Sequence, residues 1–220
     1  MIDLLIDLDN TVYSENAKIF SQVDLKMKNY ISKYLKINLE EAFVLQKSYF
    51  KKYGTTLRGL MLNHNIKPGP YLEFVHDIEL SSIKKNPALE NVLTKYSGKK
   101  IIFTNGTKKH AENVLSKVGI ENCINGIFDI KDAEYIPKPN ISTYEKVLIN
   151  YGLNPVNTAM IDDIPINLKT AKKLGLYTIL IKYNFKFDVY YDYVDNITLD
   201  LKESITELNN KENVNEDRKT

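Results

Sequence analysis

Apolar and polar residues follow one another along this chain in two rhythms. Short apolar runs occupy residues 2–6 (Ile2-Asp3-Leu4-Leu5-Ile6), 99–103 (Lys99-Lys100-Ile101-Ile102-Phe103), 126–129, 158–161 (Thr158-Ala159-Met160-Ile161) and 177–181. Each run is bounded by turn-forming or polar residues, as expected of strands buried on both faces. Elsewhere apolar residues return every three or four positions, as Val23, Met27, Tyr30, Ile31, Tyr34 and Leu35 do, which is the stripe of an amphipathic helix.

These rhythms predict the order of elements. After the first strand, residues 15–86 carry only helical spacing. A helix over Val23 to Leu35 is followed by one that Asn38, with Glu40 and Glu41 behind it, opens and Tyr53-Gly54 stops. Thr55 or Thr56 caps a third, ending near Asn65, and Pro68-Gly69-Pro70 is expected to break the chain before Tyr71, Leu72, Phe74 and Val75 resume it. From Leu89 on, helix and strand alternate: helices over 108–118, 142–151 and 166–174 separate the remaining strands. Alternation at this spacing predicts an α/β fold with a doubly wound parallel sheet and right-handed crossovers. The expected division is a core of residues 1–14 and 87–210, a helical cap inserted over 15–86 after the first strand, and a frayed, disordered tail over 211–220.

Composition narrows the function classes. At 220 residues, 43% hydrophobic and 26% charged, the chain has the makeup of an ordinary globular protein. Thirty basic residues stand against 28 acidic ones with no basic block, so a nucleic acid polymer is not the expected partner. No apolar stretch reaches the roughly 18 residues a membrane span needs. The single cysteine, Cys123, forms no intrachain disulfide and has no base beside it, and the first strand begins almost at Met1. Together these predict a structural thiol and a cytoplasmic protein.

Candidate chemistry collects at the ends of the strands. Asp7 and Asp9 follow the first run, Thr104 and Asn105 the second, Asp162 and Asp163 the fourth, and Lys138 sits between two prolines. A lone Asp-x-Asp also suits a helix cap or an Asx-turn. In a parallel sheet, however, all these strand ends lie along one edge, where ligands bind. Clustered carboxylates repel unless a cation joins them or one is protonated. Three or four of them suit Mg²⁺, while a hydroxyl, an amide, a lysine and backbone N–H groups suit a phosphate dianion. Together they describe phosphoryl transfer to Asp7.

Asp7-x-Asp9-x-Thr11, Thr104 behind a buried strand, Lys138 in Pro-Lys-Pro and the pair Asp162-Asp163 resemble, in order and spacing, the four motifs of the haloacid dehalogenase-like (HAD) hydrolases. The segments Asp7-Leu-Asp-Asn-Thr-Val-Tyr13, Tyr53-Gly-Thr-Thr-Leu57, Phe74-Val-His-Asp-Ile78, Ile102-Phe-Thr-Asn-Gly106 and Phe128-Asp-Ile130 are similar to the pyrimidine 5′-nucleotidase subgroup, over residues 1–182. The resemblance implies a Rossmann-type core and a Mg²⁺-dependent phosphomonoesterase acting on a small phosphorylated metabolite, with nucleoside 5′-monophosphates such as UMP and CMP foremost. It implies that Asp7 is the nucleophile and Asp9 the acid and then the base. Thr104 would hold a phosphoryl oxygen with the backbone at Asn105 and Gly106, and Lys138 would bind the phosphate. Mg²⁺ would sit on the Asp7 carboxylate, the Asp9 carbonyl and Asp163, with Asp162 as a second or water-mediated ligand. Members that cleave carbon–halogen bonds lack an aspartate at the position of Asp9, so its presence here implies phosphate chemistry. A sugar phosphatase or phosphomutase, or a binding protein on a retired scaffold, are the alternatives.

One departure from the subgroup is Ile164-Pro165 where a small polar residue commonly follows the acidic pair, although Asn167 is in place. The lost polar group is expected to bear on the support of Asp163 and the metal. Tyr13, Thr55 and Thr56 are expected at the mouth between core and cap, near the substrate. Of the histidines, His76 is expected to bond Asp77 or backbone, His110 to be structural, and His64 to be exposed.

Overall fold

The computed structural model describes residues 1–183 and 190–217, with side chains described through residue 210. The strands are β1 (Asp3–Ile6), β2 (Lys100–Phe103), β3 (Gly126–Phe128), β4 (Thr158–Asp162), β5 (Tyr177–Ile181) and β6 (Asn196–Thr198). All pair in parallel, in the order β3-β2-β1-β4-β5-β6. The chain first builds outward from β1 through β2 to β3, then returns across to place β4 on the other side of β1. That reversal makes the gap between β1 and β4 the switch point of the sheet, the place where its carboxyl edge opens into a crevice.

Side chains along each strand alternate between two buried layers. Leu4, Ile6, Ile102, Ala159, Ile161 and Ile179 face α5 (Pro87–Lys95), α6 (Lys108–Val118) and α9 (Leu201–Asp217), through Leu93, Val114 and Ile205 among others. Leu5, Ile101, Phe103, Met160 and Leu180 face α7 (Ile141–Tyr151) and α8 (Pro165–Lys173), through Tyr144, Val147 and Leu168. Burial on both faces is why the strands read as unbroken apolar runs.

Between β1 and α5 the chain forms α1 (Ile19–Leu35), α2 (Leu39–Tyr53), α3 (Thr56–His64) and α4 (Pro68–Val75). Their apolar stripes meet in a separate cluster that includes Val23, Ile31, Ala42, Leu57, Leu60 and Tyr71, joined from beyond β3 by Ile130 with Tyr135 packed against it. Asn38 starts α2 with a full capping box, its side chain accepting from Glu41 N while Glu41 reaches back to Asn38 N. Thr55 caps α3 by accepting from Arg58 N.

Three expectations change. Pro68-Gly69-Pro70 begins α4 rather than breaking the chain, because proline in a first turn gives up an N–H that has no helical partner there. β6 has three residues and no alternation to announce it. It is held by Lys182 N donating to Thr198 O and Asp195 N donating to Thr178 O. Residues 211–217, expected to fray, continue α9 as helix, since lengthening a helix already docked through Leu201, Ile205 and Leu208 costs little per residue. The rest of the expected tail, residues 218–220, lies outside the described residues. Among the described residues no helix is long and apolar enough to cross a membrane.

Candidate active site

Register brings the acidic strand ends together. Ile6 pairs with both Ile102 and Ile161, so the next residue, Asp7, stands level with Phe103 on one side and Asp162 on the other. Into this line comes Lys138 from the loop before α7, with 1% of its surface exposed. Its Nζ donates to Asp7 Oδ1 at 2.6 Å and to Asp162 Oδ2 at 2.9 Å, and lies 5.0 Å from the centre of the Phe103 ring. Burial disfavours the lysine charge, but Asp162 and Asp7 more than reverse this, so its pKa moves up and the ammonium is kept.

Asp162 is saturated. Oδ1 accepts from Ile164 N (2.8 Å) and Asn167 Nδ2 (3.1 Å), and Oδ2 from Lys138 Nζ and Asn167 Nδ2 (3.0 Å), which fills the four acceptor positions of a carboxylate. The Ile164-Pro165 departure is thereby compensated at Asp162, because the backbone N–H of Ile164 and the Asn167 amide need no polar side chain at 164 or 165. Asp163 is the reverse case: its Oδ1 is buried without a hydrogen-bond partner. Ligand oxygens of Asp7, Asp162 and Asp163 all lie within 4.8 Å of one another. Burial, then the charges of Asp7 and Asp162, push the Asp163 carboxyl up to about 8. Burial likewise pushes Asp7 up to about 7, Lys138 opposing and Asp162 adding to it. An acceptor with no donor, inside a group of mutually repelling carboxylates, fits a hard divalent cation, which Asp7 and Asp163 would hold while Asp162 secures the lysine.

Thr104 and Asn105 follow β2. Thr104 is buried, and its Oγ1 accepts from Gly106 N at 2.9 Å, which leaves the hydroxyl proton to donate. The Asn105 side chain, expected near a phosphate, clasps the lysine loop instead: Oδ1 accepts from Lys138 N (2.8 Å) and Nδ2 donates to Lys138 O (3.2 Å). Both ends of the amide are engaged, which leaves one Nδ2 hydrogen and the Asn105 backbone N–H for an anion. The cap rests on the other side of the same loop. At Gly54, with φ +83°, a Cβ would stand 2.9 Å from Lys138 O and 3.2 Å from the Pro137 ring, so only glycine fits.

Asp9 has a different environment. Its Oδ1 accepts from Tyr13 Oη at 2.7 Å and from His110 Nε2 at 2.9 Å, while Oδ2 has no partner among the described residues. Burial opposes its ionisation, yet the His110 charge and the two donors overcome this and hold its pKa at about 2. His110 is itself shifted upward: burial opposes its charge, and Asp9 outweighs burial. The His76 ring stacks on it at 4.6 Å and 9°, kept neutral by burial and by the His110 charge. A carboxylate pinned by one oxygen, with the other open and a proton store at 2.9 Å, is equipped to give and take protons.

Several expectations are revised here. Tyr13 is not at a mouth; it is buried in the sheet layer with its hydroxyl on Asp9. His110, expected to be structural, instead bonds Asp9. A histidine one turn into the helix after a strand-end motif is the available signal, and contact across 101 positions cannot be read from spacing. His76 bonds the Leu72 backbone, one of its two expected kinds of partner, and Thr107 Oγ1, while Asp77 pairs with Lys26. His64 is half-buried, 2.7 Å from the Tyr49 hydroxyl. Replacing His110 by alanine is expected to lower kcat by ~10²-fold with KM nearly unchanged, as loss of a proton partner does. Steady-state kinetics on the best substrate checks this, and an effect confined to KM would refute it.

The haloacid dehalogenase-like hydrolase model matches residues 4–175, a span that contains all four strand-end motifs. The chain belongs to this family. Phosphate metabolism protein 8 of Saccharomyces cerevisiae is 28% identical over 186 residues, which are 77% of this chain and 58% of the yeast protein. The chain thus spans well under two thirds of that relative's length. Among solved structures, a HAD phosphatase from Thermococcus onnurineus has a TM-score of 0.61 at 20% identity, covering 94% of this chain and 98% of that one. The L-2-haloacid dehalogenase of Xanthobacter autotrophicus has a TM-score of 0.59 at 12% identity, covering 96% and 99%. At such identities the likeness is one of fold.

In this HAD-like hydrolase a cavity of about 250 Å³ opens from the acidic edge into the helical segment. Asp7, Asp9, Thr104, Asn105, Lys138 and Asp163 form its floor. Thr55 and Thr56 do line its upper wall, but Thr55 Oγ1 caps α3 and Thr56 Oγ1 donates to Gln46 O. Both hydroxyls therefore serve the cap's own architecture.

Proposed function

We propose that this HAD-like hydrolase is a Mg²⁺-dependent phosphomonoesterase that carries the phosphoryl group on Asp7, acting on nucleoside 5′-monophosphates with UMP and CMP foremost. The observation that carries this reading is the buried Lys138 ammonium, 2.6 Å from Asp7 Oδ1. A carboxylate held beside a permanent cation can approach an anionic phosphate that would otherwise repel it.

Asp7 attacks phosphorus, its oxygen forming the new P–O bond as the ester P–O bond breaks. The departing alkoxide takes a proton through Asp9, drawn from the His110 side of the pair. Asp9 then accepts a proton from water, whose oxygen attacks the acyl phosphate and releases inorganic phosphate with Asp7 restored. Thr104 and the Asn105 backbone N–H orient the phosphoryl oxygens, the Gly106 N–H being held by Thr104 Oγ1. Mg²⁺, when bound by Asp7, Asp163 and the Asp9 carbonyl, supplies charge neutralisation for the transferring group. A HAD-family protein of Bacillus subtilis, YfnB, was solved with bound magnesium, which supports this choice of ion.

The small cavity, apolar above its acidic floor, supports a nucleoside with a single-ring base over a bare sugar, as does the resemblance of residues 53–57, 74–78 and 102–106 to the pyrimidine nucleotidases. A reducing, cytoplasmic setting suits the free thiol of Cys123.

Inorganic phosphate release from UMP, CMP, other nucleotides and sugar phosphates, with Mg²⁺ and with EDTA, tests the reading. The expected result is metal-dependent release that favours UMP and CMP. Equal release from sugar phosphates would remove the pyrimidine preference, and no release from any ester by folded protein would remove the enzyme.

A further inference from the structure

The upper wall of the cavity is apolar over Phe20, Met27, Phe50 and Leu57, with a few polar side chains set among them. Most of those are already engaged. Asp24 Oδ1 accepts from Gln46 Nε2 (2.7 Å) and Lys47 Nζ (2.5 Å), and the hydroxyls of Thr55 and Thr56 serve α2 and α3. Two atoms are left over: Gln46 Oε1 and the Tyr71 hydroxyl are buried without a hydrogen-bond partner, on residues each 1% exposed. Buried polar atoms are nearly always paired, and two orphans on one cavity wall mark a place where a ligand supplies the partners.

Chemistry fixes what those partners are. The Gln46 Nε2 position faces two acceptors, Asp24 O at 3.2 Å and Asp24 Oδ1, so it must be the NH₂ end. The orphan is therefore a carbonyl oxygen, and it asks for an N–H or O–H. Tyr71 is fixed edge-on to Tyr30 at 5.1 Å, and burial keeps its phenol protonated, so it can either donate or accept. We infer that Gln46 and Tyr71 are specificity-determining residues that read the polar edge of a pyrimidine base. Uracil offers a ring N–H between two carbonyls, and cytosine an amino group beside a ring nitrogen. Each gives Gln46 a donor, and the Tyr71 hydroxyl turns to suit the neighbouring group. A bare sugar would present hydroxyls to Phe20, Met27, Phe50 and Leu57, where nothing pairs with them.

This inference rests on the nucleotide reading, and the test separates the two. Wild type, Tyr71→Phe and Gln46→Met are compared by kcat/KM on UMP and on ribose 5-phosphate, which lacks the base. Tyr71→Phe removes an oxygen that bonds nothing in the free protein, so its thermal midpoint should not fall. The UMP to ribose 5-phosphate ratio is expected to drop roughly tenfold in each variant, the value of one good hydrogen bond. If wild type prefers UMP and both variants keep that preference, the assignment of Gln46 and Tyr71 is overturned while the nucleotide reading stands. If wild type prefers ribose 5-phosphate, or turns over neither, the nucleotide reading falls and takes the inference with it.

Discussion

Asp7→Asn is expected to abolish phosphate release, by ~10⁴-fold or more, while leaving the fold intact. An amide matches the carboxylate in shape but cannot attack phosphorus, so the first bond never forms. The site tolerates the change because Lys138 keeps its second partner, Asp162, at 2.9 Å. Removing one negative charge from the group of Asp7, Asp162 and Asp163 also relieves repulsion among them. Phosphate release and a thermal melt, run on the same preparation, check both halves. Activity within tenfold of wild type would refute the nucleophile, and a collapsed melt would mean that the Asp7 charge is structural.

Lys138→Met has the largest expected effect on stability. The ammonium is 1% exposed and is paired with both Asp7 and Asp162. Without it two buried carboxylates face each other, with Asp163 adjacent, and no cation remains among them. Removing one partner of a buried ion pair costs about 3–5 kcal/mol, a large part of the ~5–15 kcal/mol that holds a domain together. The cost depends on pH, with a definite sign. Asp7 and Asp163 already have pKa values raised by burial, so the folded state binds protons that the unfolded chain, titrating near 4, has released. Proton uptake on folding means that stability falls as pH rises from about 4 through about 8, and the variant has more of this uptake than wild type. Urea midpoints without divalent metal are therefore expected to differ most at pH 8 and least at pH 5. A constant difference across that range would show that the lysine is held by packing and not by the carboxylates.

Much of this architecture is local in origin. Five of the six strands are short apolar runs because both faces of each are covered, a property of neighbouring residues that periodicity reports directly. Asn38 and Thr55 announced helix starts because a cap is satisfied by the residues immediately after it. Asp7, Asp9, Thr104, Asp162 and Asp163 were legible as a site because they stand where apolar runs stop, and parallel strands stop along a common edge.

Direction and pairing were not legible, because they depend on which surfaces pack. Asn105 has the composition of a phosphate ligand, but the return of the chain before α7 brings the Lys138 peptide against its amide. Tyr13 looked like a substrate contact until the turn after β1 buried it on Asp9. His110 and Asp9 are 101 positions apart, and only the packing of α6 beside β1 brings Nε2 to 2.9 Å. Gln46 and Tyr71 sit in ordinary helical stripes, and their unpaired atoms exist only because α2 and α4 close over one cavity. The amino-acid sequence by itself determined five of the six strands, their order of appearance and the acidic edge, since these follow from short-range periodicity and the geometry of a parallel sheet. The tertiary structure alone decided which donor meets which carboxylate and which polar atoms remain for a ligand, because hydrogen bonds are settled over a few ångströms by packing between distant segments.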